Sequence, residues 1–137
     1  MAALSDYIEN AIINHILRNQ AFTPPTTVYL ALFTAVTGLE ADAGVTGEVS
    51  GGSYARQTCA LNAASGGSSA NTSEVTFPTA TVAWGTVTHW ALVDHVSNTN
   101  WGTNVNVLMW GALDVQKVVG VGDVAKVSAG ALVVTMA

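Results

Sequence analysis

The sequence predicts a mainly β domain, an antiparallel β-sandwich or jelly-roll-like fold with a short N-terminal helix. Three observations carry this reading. Helical spacing of apolar residues is confined to residues 4–19. Roughly seven or eight short apolar runs follow, separated by clusters of Gly, Ser, Thr and Asn. No further helical pattern alternates with them, as a parallel sheet would require. At 137 residues the chain reads as one domain, 1–137, able to bury roughly two thirds of the surface it exposes when unfolded.

In the helix over 4–19, Ser5 is the cap, Asp6 and Glu9 lie in the first turn, and Arg18 lies in the last, each where the helix dipole favours it. Leu4, Ile8, Ile12 and Ile16 recur every fourth residue, widened by Ala11, Ile13 and Leu17. That spacing predicts a buried face. Pro24 and Pro25 forbid continuation because they lack amide donors. The strand over 27–34 is apolar on both sides, Val28, Leu30 and Leu32 on one and Tyr29, Ala31 and Phe33 on the other. Such a strand is central and needs a covering layer on each face.

Residues 38–52 contain five glycines and no sustained apolar period, so they read as a long loop arm. Residues 54–61 read as a strand, and the Ala, Gly, Ser and Asn of 63–71 as an exposed connection. Further strands are expected over 74–77, 86–93, 105–113, 117–119 and 130–136. Cys59, the single cysteine, can form no internal disulfide and reads as a small buried hydrophobe. Trp84, Trp90, Trp101 and Trp110 fall within one short stretch. Each has a large apolar surface and an indole N–H that wants an acceptor, which suits a core edge first and a protein interface second, with a ligand platform as the third reading.

Charge excludes several functions. There are four basic and nine acidic residues, a net charge of -5, and only 9% charged positions, against roughly a quarter in ordinary domains. Arg18, Arg56, Lys117 and Lys126 are too few and too scattered for the several phosphate contacts that nucleic acid demands. No run reaches the roughly 18 apolar residues of a membrane span. Acids stand where a secretory leader would carry its basic region, so synthesis in the host cytoplasm is expected. No catalytic, cofactor or metal site is expected. His89 and His95 have no third ligand at a metal spacing, and no Gly-x-Ser-x-Gly elbow occurs. Gly120 and Gly122 lack the rest of a nucleotide-binding pattern. Glu40, Asp42 and Glu48 lie in the arm without the fixed separation that paired-carboxylate catalysis needs.

The order of segments resembles a widespread family of small phage virion proteins often labelled tail-fibre-like. The residues that carry the resemblance are Ser5-Asp6-Tyr7-Ile8-Glu9-Asn10, Val28 to Ala35, Gly47 to Gln57, Phe77-Pro78-Thr79-Ala80, Trp84 to Trp90 and Gly130-Ala131-Leu132. It covers nearly the whole chain. The stretch Asn98 to Asn106 departs from the usual pattern, with asparagines and an extra tryptophan. The resemblance implies a virion location. The chain has no shaft repeat, collagen-like triplet or heptad from which to build a fibre, which favours a capsid decoration (cement) protein on the outer shell. Its expected partners are the major capsid protein and further copies of itself, as dimer or trimer, with the N-terminal region and the 38–52 arm bridging capsomers. A tail-associated or tail-fibre-like component is the alternative, and a carbohydrate-binding module is a third class. The interface candidates are Glu40, Asp42, Glu48, Trp84, Trp90, Trp101 and Trp110.

Overall fold

The computed structural model describes residues 2–136 and is mainly β. Its elements are β1 (Ala2–Leu4), α1 (Asp6–Arg18), β2 (Tyr29–Phe33), β3 (Gln57–Thr58), β4 (Ser68–Ala70), β5 (Val75–Thr76), β6 (Gly85–Val93), β7 (Val107–Val119), β8 (Lys126–Val127) and β9 (Val133–Thr135). A five-stranded antiparallel sheet runs β1-β7-β6-β2-β3. Facing it are two short ribbons, β4 with β9 and β5 with β8. The second layer of the sandwich is thus two separate ribbons.

β2 is central, between β6 and β3, and alternation sends its side chains into two cores. Leu30 and Leu32 join Trp90, Leu92 and Leu108 beneath the ribbons, where Val75, Phe77, Leu132 and Val134 close over them. Ala31 and Phe33 join Ala91, Val93, Val105, Val107 and Leu39 on the opposite face. Each large aliphatic or aromatic side chain buried this way contributes about 1.5–3 kcal/mol. Cys59 is buried in the first core, and burial pushes its thiol pKa up.

Four expectations are corrected. Leu4 belongs to β1, paired with Met109, so the helix begins later, with Ser5 as its cap and Asn19 closing it in the left-handed region at φ 53°. The connection 63–71 contains a strand, β4, because its Ser-rich backbone finds β9 as a partner. The strands expected over 105–113 and 117–119 are one, β7. Opposite β6 it pairs at Ala112 with His89 and at Lys117 with Val87, so the intervening residues bulge out of the ladder.

The fourth correction concerns the buried face of α1. Tyr7 and Ile8 pack on the first core, but Ile13, Ile16 and Leu17 are 52%, 69% and 76% exposed. At 3.6 residues per turn, a strict fourfold spacing drifts about 40° per step, so Ile16 has rotated far from the side that Ile8 occupies. The apolar character is legible in the sequence; its turning outward follows from the drift and from where the sheet ends.

Candidate functional site

The segment 38–52, expected as a free arm, folds back on its own chain. The Val49 amide donates to the Leu32 carbonyl at 2.9 Å, and the Thr34 amide donates to the Gly47 carbonyl at 2.8 Å. Gly47 sits at φ +85°, and a Cβ there would meet that of Ala35 at 2.7 Å, so a side chain would lift the segment off β2. Leu39 and Val49 are buried as well. Turns built from glycine hide the apolar pattern that would otherwise mark a packed segment.

The three carboxylates of this segment serve three separate local purposes. Glu40 accepts from the Trp110 indole N–H at 2.9 Å and is exposed, while its carbonyl accepts from the Asp6 amide at the start of α1. Asp42 is 4% exposed and in the left-handed region at φ 52°. Its Oδ1 accepts from the Val107 amide at 2.7 Å. Burial lifts its pKa to about 6, against the pull of the Val107 N–H and helped by the charge of Asp94. Gly102 packs on the Asp42 carbonyl so closely that a Cβ would stand 2.5 Å from it.

Glu48 is the partner of Arg56, whose Nε and Nη2 donate to the two carboxylate oxygens at 2.7 Å each. This is the planar, two-pronged pairing for which guanidinium is suited. Arg56 Nη1 also donates to the His95 carbonyl at 2.8 Å, and its Cζ lies 4.9 Å from the centre of the Trp101 ring. The Tyr54 hydroxyl donates to Glu48 at 3.0 Å and accepts from the Leu32 amide at 3.1 Å. Burial, and then the Glu48 charge, push that phenol far above its usual range. One buried arginine therefore ties the 45–51 loop to the 95–101 loop. From sequence, Arg56 is one of four scattered cations; the signal that could have singled it out is an acid and a base eight residues apart in a chain with so few bases.

The tryptophans divide. Trp84 and Trp90 are core residues, Trp84 standing edge-on to Tyr54 and Phe77. The Trp84 indole N–H has no partner among the described residues. Trp101 and Trp110 are half-buried, the first against Phe33 and Arg56 and the second near His89. The structure brings Glu48 and Trp101 together around Arg56, and Glu40 together with Trp110; Trp84 reaches the Glu48 group only through Tyr54, which donates to Glu48 and packs on Trp84.

Residues 3–135, nearly the whole chain, match the family described as Podophage GP4 fiber I protein gp80. The chain belongs to that family. The gp80 family is one of phage virion proteins, in keeping with the tail-fibre-like resemblance of the sequence. No curated protein gives a significant match. Among the described residues no group of three or more His, Cys, Asp or Glu side chains is placed to hold a metal ion.

Proposed function

We propose that this chain is a structural subunit of a virion fibre, a globular module that joins a second copy through the outward face of α1. The family match along 3–135 carries the fibre reading. The attachment surface is supported by the exposure of Ile13, Ile16 and Leu17 on a helix whose first turns alone are covered. A contiguous apolar patch on a small domain is costly to leave in water and suits a protein contact. Charge favours antiparallel packing of two such helices. It sets the acidic first turn of each, Asp6 and Glu9, beside the basic last turn of the other, His15 and Arg18. No cofactor is needed for this role.

Decoration of the capsid shell is the competing placement, and the folded-back 38–52 segment removes one of the two segments that were expected to bridge capsomers, leaving the N-terminal region. Cryo-electron microscopy of virions labelled with antibody fragments against the chain tests the proposal. Label confined to fibres supports it. Label spread evenly over the head shell, on the major capsid protein, would replace it with decoration.

A further inference from the structure

The sandwich has an open flank along β7. β1 pairs with β7 only from Met109 to Gly111, and no other described strand lies on that outer side from Leu113 to the end of β7 at Val119. On the inner side, β6 pairs with Ala112 and then again from Lys117. The backbone of 113–116 therefore has a strand on neither side, and that of 117–119 on one side only. Such an edge is a template for a further strand. We infer that β7 from Leu113 to Val119 accepts an extended segment of another protein, apolar at every second residue and acidic beside Lys117.

The space beside the edge sets the apolar pattern. Leu113, Val115, Lys117 and Val119 alternate into a cleft of about 200 Å³ over the buried Phe77 and Val87. It adjoins a larger cleft of about 690 Å³ over Leu30, Trp90 and Leu132, the two sharing Leu113. Val115 is 81% exposed, an apolar side chain beside open apolar space. An added strand keeps the period of two, so every second side chain lies over these clefts, and apolar groups there cover Val115. A small apolar molecule fills the space but leaves the amides and carbonyls of 113–116 without strand partners. A strand satisfies both.

Charge selects among segments. Lys117 and Lys126, two of only four basic residues, line the same cleft. Lys117 is in no salt bridge among the described residues, and Lys126 reaches Glu74 only at 3.8 Å, both side chains being about half exposed. Asp114, the acid of this edge, borders the larger cleft instead. An acidic side chain is attracted here on a chain whose net charge of -5 disfavours it elsewhere. A second copy meets the requirement poorly. Antiparallel pairing of β7 with itself about a twofold axis sets residues of one face opposite each other, so Lys117 meets leucine, valine or lysine and never Asp114. The inference is independent of the α1 contact and of where on the virion the chain sits.

The test mixes the intact protein with three synthetic peptides, each about as long as the free edge. One alternates valine with threonine and glutamate, one carries lysine in place of glutamate, and one has the composition of the first with its valines in a block. Amide hydrogen exchange read residue by residue should slow within 113–119 on adding the first peptide. NMR titration should show it binding roughly tenfold or more tightly than the other two. Lys117→Glu changes an exposed side chain, should leave the far-ultraviolet spectrum unchanged, and should remove the preference for glutamate over lysine. Absence of protection in 113–119 with every peptide, equal binding of the block peptide, or an unchanged preference in Lys117→Glu would each overturn the site. Protection that instead grows with the concentration of the protein alone would replace the foreign strand with a second copy.

Discussion

At the scale of single residues, Asp42 and Ser5 show side chains whose backbone partners are far away in sequence. Asp42 holds the Val107 amide at 2.7 Å, yet its burial raises the pKa from 3.8 to about 6. An acid whose pKa is higher when folded stabilises the fold fully below its unfolded value. That contribution is lost as pH rises through about 6, so Asp42 costs stability at pH 7–8. Asp42→Asn keeps an acceptor for Val107 and suits a positive φ. We expect it to raise stability at pH 7.5 by on the order of 1 kcal/mol and to have little effect near pH 3.5, below the unfolded value. Urea unfolding at the two pH values checks this, and an equal effect at both would show that the Asp42 charge is not responsible. Ser5 is fully buried; its Oγ donates to the Val107 carbonyl and accepts from the Ile8 amide at 3.4 Å. Ser5→Ala should cost about 1–2 kcal/mol in thermal or urea unfolding, since it removes a helix cap and leaves a buried carbonyl short of a partner.

At the scale of elements, α1 has two apolar sides with different duties. Ile8 and Ile12 lie toward the body and are half-buried, whereas Ile16 is exposed. Ile12→Asp should therefore lower the stability of the isolated chain by about 1–3 kcal/mol. Ile16→Asp should change it by less than about 0.5 kcal/mol while abolishing association of copies. Thermal melts with sedimentation equilibrium separate the two effects. A stable, fully associated Ile16→Asp protein would rule out the helix contact. In β7, the bulge between Ala112 and Lys117 keeps a single strand continuous where the apolar pattern breaks, because a ladder can skip residues without ending.

At the scale of the whole molecule, four basic and nine acidic residues leave few charges to steer assembly. The proposed contact is chiefly apolar, with ion pairs only at its rim. Exposed pairs fade as the Debye length falls to about 3 Å in 1 M salt, whereas apolar burial is not weakened by screening. Association should consequently persist from roughly 0.15 to 1 M sodium chloride. A hundredfold loss of affinity across that range, measured by sedimentation, would mean that ion pairs rather than apolar burial hold the copies together.

The sequence by itself determined that the fold is mainly β, that β2 is central and that Cys59 is buried, because these depend on local alternation and composition. It also located the N-terminal helix and its cap, which are set by neighbouring residues. Only the tertiary structure decided that the 38–52 segment is packed, that Trp84 and Trp90 are core while Trp101 faces a cleft, and that Ile16 points outward. Those outcomes depend on which distant element arrives to cover a side chain. The same gap hid Arg56, whose importance lies in joining Glu48, eight residues away, to His95, 39 residues away, and to Trp101. Apolar periodicity records that a face avoids water; the partner that satisfies it is chosen in three dimensions.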